Sequence, residues 1–170
     1  MSKNDKKISI EEPYKEKEMI SVEELHKEID LIQDCINRMA KNSFLIKGWV
    51  VTIVAAIIAL TPKEMNRFGV VVTLIMVTGS FWYLDGFFLR TEKIYRELYA
   101  WVLKERKKRS REYQYDLNPK RLDDHVERIG KVMFTKTLRW FYFPICIAIL
   151  LFIGSCSYPC IVEWVRSLIK

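Results

Sequence analysis

The sequence predicts an all-α membrane protein: a two-span helical hairpin extended into the cytosol as an antiparallel helical stalk, plus a third transmembrane helix. The apolar stretches 43–61 and 68–89 each approach the roughly 20 residues a helix needs to cross a ~30 Å hydrocarbon core. Only Pro62, Lys63, Glu64, Met65, Asn66 and Arg67 separate them, too few to recross a bilayer, so the two spans must run antiparallel. The chain is 50% hydrophobic and 29% charged with a mean hydropathy near zero. A soluble domain would disperse its apolar residues at helical or strand spacing. Here they fall in blocks, with the charges blocked between them.

Residues 1–20 mix Lys and Glu with one Pro and few apolar side chains, the composition of a disordered cytosolic tail. They carry no apolar core ahead of a small-residue cleavage site, so the first span is expected to be retained. Ser21, Val22, Glu23 and Glu24 form a capping-box signature, with Ser at the N-cap and Glu three residues on. Leu25, Ile29, Ile32, Ile36, Met39 and Ser43 then recur at spacings of three and four, a heptad stripe that feeds into the first span. One helix from about residue 22 to 60 is the simplest reading.

The second span also runs on, with Thr91, Tyr95, Leu98 and Val102 repeating the same spacing. Residues 21–110 are therefore expected to be a long-helix hairpin, the apolar stripes of its two cytosolic extensions facing each other or another partner such as a second copy of the chain. A cytosolic connector follows at 111–139. Asn118 and Pro119 suit the N-cap and first position of an amphipathic helix with Leu122, Val126, Ile129 and Met133 on one face. The third span and an interfacial C-terminal tail occupy 140–170. Trp140, Phe141 and Tyr142 at one end of this span, and Tyr158 and Trp164 at the other, resemble interfacial aromatic belts.

Charge sets the orientation. Segments 1–47 and 90–139 hold 24 of the 28 Lys and Arg residues, and three spans put both segments on one side. Positive loops stay in the cytoplasm. The expectation is a multi-pass protein of a bacterial inner membrane with its N-terminus inside and its C-terminus outside.

Lys47 and Asp85 are the charges set inside apolar spans. Such residues cost at least ~2.5 kcal/mol each and usually face protein or water. Counted from the shared turn they differ in depth by three residues, or ~4.5 Å of helical rise, which a lysine stem can span. An intramembrane ion pair is the leading expectation. Separate snorkelling to the headgroups is the alternative, and a polar pore lining or proton relay a third. Lys104, Arg106, Lys107, Lys108, Arg109 and Arg111 form a basic cluster, expected to be a solvated helix end that fixes topology. It begins ~21 Å beyond Arg90 along a continuous helix. No aromatic residues interleave it, which argues against nucleic acid.

Cys156 and Cys160 flank Pro159 on the outer side, where a disulfide is permitted by compartment. His26, Asp30 and Asp34 share a helix face, and His125 adjoins Asp124, but a solvated face accounts for both. No nucleophile motif, phosphate loop or metal-ligand spacing is present, so the chain reads as a non-enzyme without cofactor or metal. Its partners are the lipid bilayer, a second copy in a homo-oligomer, and a possible soluble cytosolic protein.

Two stretches carry a resemblance: Arg38 to Phe44 running to Lys47, Gly48 and Trp49, and Leu84 to Arg90 running to Glu92, Arg96, Leu98 and Tyr99. They resemble a group of small, uncharacterised bacterial membrane proteins with a two-span hairpin, over residues 30–102. The organisation is also distantly similar to the two-span SLATT modules proposed as pore-forming effectors in bacterial conflict systems. That organisation implies a self-associating, membrane-perturbing effector, while the first resemblance puts Lys47 and Asp85 inside the recognisable motifs. The alternative function is a membrane anchor or scaffold whose stalk recruits a soluble partner.

Overall fold

A computed structural model of the chain describes residues 20–62 and 67–168, with side chains for all of these except 67 and 155–168. Every regular element among the described residues is helical: α1 (Val22–Leu60), α2 (Arg67–Lys107), a 3-10 helix (Pro119–His125), α3 (Ile129–Met133) and α4 (Lys136–Leu168). Three helical stretches, Val22–Leu60, Phe68–Lys107 and Lys136–Gly154, are long and apolar enough to cross a membrane.

Helix α1 starts where its capping chemistry dictates. The Ser21 hydroxyl accepts the Glu24 N–H at 3.0 Å and the Glu24 carboxylate accepts the Ser21 N–H at 3.1 Å, satisfying two donors that the first turn leaves open. It stops at Thr61, which is extended because the Pro62 ring disfavours helical backbone in the residue before it.

Helices α1 and α2 pack antiparallel along their lengths, and two groups of buried side chains divide the hairpin. In its apolar half Val50 and Val54 of α1 meet Val70 and Leu74 of α2, with Leu138, Tyr142 and Ile149 of α4 closing a three-helix core. In its polar half Ile32 of α1 meets Ile94, Leu98 and Val102 of α2, and Leu122 of the 3-10 helix covers them. The polar half is thus three layers deep, with the connector wrapped on the helix pair.

The connector differs from the single amphipathic helix that its apolar spacing predicts. It forms a seven-residue 3-10 helix, an extended break at Val126, and the short α3. Arg90 supplies the physical reason. Its Nε donates to the Glu127 carbonyl at 3.0 Å, its Nη2 to the Asp123 carbonyl at 3.2 Å, and its Nη1 to the Asp123 carboxylate at 2.7 Å. A continuing α-helix would need those carbonyls for its own ladder.

Helix α3 lies against α2 at Gly86. A Cβ there would sit 2.6 Å from Met133 Cγ, so any side chain at this position requires the Met133 side chain to move. The Trp82 indole N–H then donates to the Met133 carbonyl at 2.9 Å. The C-terminal segment also departs from expectation. No helix break sets off the tail: α4 runs on through Pro144 and Pro159 to Leu168.

Candidate functional site

Ser43 and Lys47 lie one turn apart on α1 and so share the face turned to α2. Opposite them stands Asp85, whose side chain has no exposed surface. Lys47 Nζ is 2.7 Å from both carboxylate oxygens and 2.8 Å from the Ser43 hydroxyl. The Ser43 hydroxyl donates to Asp85 Oδ1. The third helix completes the cluster. Tyr142 of α4 is fully buried, and its hydroxyl lies against Asp85 without closing a well-formed hydrogen bond to it. The Phe141 ring centroid is 5.9 Å from Lys47 Nζ. A cation, a carboxylate and two hydroxyls from three helices are gathered at one level of an otherwise apolar bundle.

This arrangement neutralises itself. Lys47 keeps a fifth of its side-chain surface exposed, whereas Asp85 keeps none, so the carboxylate depends on its partners. Burying an unpaired carboxylate costs several kcal/mol, and two-sided contact with an ammonium plus a hydroxyl donor offsets it.

A second buried ion pair sits at the other end of the hairpin. Arg106 of α2 meets Glu28 of α1 through two 2.8 Å hydrogen bonds, and each side chain is 2% exposed. The remaining capacity of both groups is used by the loop that leaves α2. Arg106 Nη1 donates to the carbonyls of Ser110 and Glu112, and the Tyr115 N–H donates to Glu28 Oε1 at 2.9 Å. Burial pushes the Glu28 carboxyl up, but the Arg106 hydrogen bonds, the Tyr115 N–H and the Arg106 charge together hold it below its ordinary value.

The loop carries backbone strain. Arg109, Tyr113 and Tyr115 all have φ between 52° and 61°, a region that non-glycine residues rarely adopt. Tyr113 then stacks on the Arg121 guanidinium at 3.9 Å, with Trp101 5.0 Å away on another side. Trp101, Glu105, Glu112, Tyr113, Arg121 and Leu122 line a cavity of about 340 Å³ there.

Of the basic cluster, Lys104, Lys107, Lys108, Arg109 and Arg111 are exposed, with Lys108 on Glu105 at 2.8 Å and Arg111 on Glu24 at 3.4 Å. Arg106 stands apart from that solvated face because Glu28 draws it inward. The side chains of Cys156 and Cys160 lie outside the described residues, while Cys35 and Cys146 are free thiols. No group of three potential metal ligands occurs among the described residues.

Glu28, Tyr142 and Arg90 were not apparent from the sequence as site residues. Glu28 had a signal, since it falls in register with Ile32 and Cys35, an acid at an otherwise apolar position. Compared with known proteins, the chain matches no family model, no curated sequence and no solved structure.

Proposed function

We propose that the chain is a small, non-enzymatic, multi-pass membrane protein that anchors a folded cytosolic module and presents it to a soluble partner. Its three apolar helices support the membrane placement, and the positive-inside bias supports a cytosolic N-terminus, an external C-terminus and a bacterial inner membrane as the location. The observation that carries the anchor reading is the closure of the intramembrane charges. Lys47 and Ser43 both bond Asp85 Oδ1 inside the bundle and the carboxylate is fully enclosed, which supports a structural role for these charges over a pore lining. The polar half, by contrast, is built with a wrapped connector, a fully bonded Glu28–Arg106 pair and a strained loop.

A second reading is a self-associating, membrane-perturbing effector, as the SLATT-like organisation implies. One observation favours it. The Thr78 hydroxyl is buried without a partner beside a groove of about 290 Å³ between α2 and α4, lined also by Gly79, Trp82 and Cys146. A groove bordered by the small residues Thr78 and Gly79 suits the packing of a helix from a second copy.

Controlled expression with a potential-sensitive dye separates the two. An anchor leaves the membrane potential unchanged and crosslinks through its cytosolic residues to a soluble protein. Prompt depolarisation, with crosslinked multimers of the chain itself, overturns it in favour of the effector.

A further inference from the structure

We propose that residues 128–139 form a binding surface for anionic phospholipid headgroups of the inner leaflet. The inference rests on the membrane placement proposed above. This stretch holds Arg128, Lys131, Lys136 and Arg139 and no acidic residue. All four side chains are exposed. Among the described residues Arg128, Lys136 and Arg139 form no ion pair, and Lys131 has only an exposed contact with Glu127 at 3.3 Å.

Depth decides what these charges meet. Trp82 lies seven residues inside the end of the second span, ~10 Å along the helix, and its indole holds the Met133 carbonyl. The Gly86–Met133 contact brings α3 to the same level. The connector is therefore tied to the cytoplasmic end of the spans, so its exposed cations border the ~5–8 Å headgroup layer on that side. Two large aromatics point outward beside the charges, Phe134 at 64% and Trp140 at 73% exposure. Aromatic rings and cations at this level are the interfacial pairing that membranes select. The cluster at 104–111 has more charge but starts ~21 Å from the span, beyond two Debye lengths at physiological salt.

The test uses the full chain, purified in detergent and mixed with phosphatidylcholine and phosphatidylglycerol, with retained lipid counted by native mass spectrometry. Wild type is expected to retain phosphatidylglycerol selectively. Each basic residue adds about fivefold in affinity, so R128Q/K131Q and K136Q/R139Q should each lose about 25-fold. R128K/R139K should keep retention, and K104Q/K107Q/K108Q should leave it unchanged. Helicity by circular dichroism checks each variant. Should the glutamine variants unfold, a salt titration of wild type decides: retention that ignores ionic strength overturns the proposal. Equal retention of the two lipids, equal loss in the distal variant, or displacement by added inorganic phosphate overturns it as well. A chain that fails to insert into phosphatidylcholine vesicles sinks the membrane placement instead, whereas one that inserts and shows no lipid preference sinks only this inference.

Discussion

Glu28 and Arg106, 78 residues apart in sequence, form a two-pronged ion pair from which water is almost wholly excluded. Breaking a buried pair by removing one partner costs about 3–5 kcal/mol because it strands the other charge. E28Q and R106M should each lower stability by that order, read as the thermal unfolding midpoint in detergent. Replacing both residues by Met should recover only part of the loss. The carbonyls of Ser110 and Glu112 and the N–H of Tyr115 would still lack their partners, and each unsatisfied buried group costs about 1–3 kcal/mol. Full recovery in the double variant would contradict this account of the loop.

The same pair sets an acid limit. Glu28 is held below its ordinary value in the folded chain, so the unfolded state binds its proton first as pH falls. Its contribution is therefore present above the unfolded value of 4.5 and is lost as pH drops through the lower folded one. Unfolding midpoints of wild type should fall between pH 5 and pH 3 more steeply than those of E28Q. Parallel curves would show that another carboxylate governs acid sensitivity.

For Lys47 and Asp85 the effects should be unequal. K47M leaves a fully enclosed carboxylate with only Ser43 as donor, whereas D85N leaves a lysine that retains some solvent access and a neutral acceptor opposite it. K47M is expected to be the more destabilising, with losses of about 3–5 kcal/mol against about 1–3 kcal/mol for D85N. Unchanged expression and melting in D85N would remove the pair from the list of structural supports.

A side chain at Gly86 should be destabilising while Met133 is present. G86V introduces a clash worth about 1–3 kcal/mol, and M133A should relieve it in the double variant. Thermal melting of the four proteins gives the coupling directly; additive losses would mean that α3 does not rest on α2 at this point.

Arg90 should be irreplaceable by lysine. R90K keeps the charge but loses the fork that binds the Asp123 carboxylate and two carbonyls together. Hydrogen exchange across 119–133 should accelerate in R90K, while α1 and α2 stay protected. Uniform protection would show that the hydrophobic contact of Leu122 suffices.

Much of this architecture was legible in the residues. Runs of apolar side chains declare the three long helices, because their period and length need no tertiary information, and Ser21 with Glu24 announces the start of α1. Lys47 and Asp85 stand out as charges within apolar runs, although Ser43 and Tyr142, which complete their surroundings, do not. The connector was illegible for a physical reason. Its apolar spacing fits a helix, but a side chain from α2 captures the carbonyls that such a helix would use. Arg106 was equally hidden, since nothing local separates it from the five exposed cations around it, and only the placement of Glu28 opposite does so.

The two interhelical ion pairs have a mechanical consequence. They bolt α1 to α2 at widely separated levels, so a slip of one helix past the other by a single 5.4 Å turn would rupture both at once. Sliding of one helix along the other would therefore have to break both pairs. Helix α4 meets the hairpin through apolar side chains, Leu138, Tyr142 and Ile149, and the Trp82–Tyr142 stack at 5.4 Å, with no ion pair to α1 or α2 among the described residues. The hairpin is thus pinned in register by charge at two levels, whereas the third helix is held to it by apolar contact.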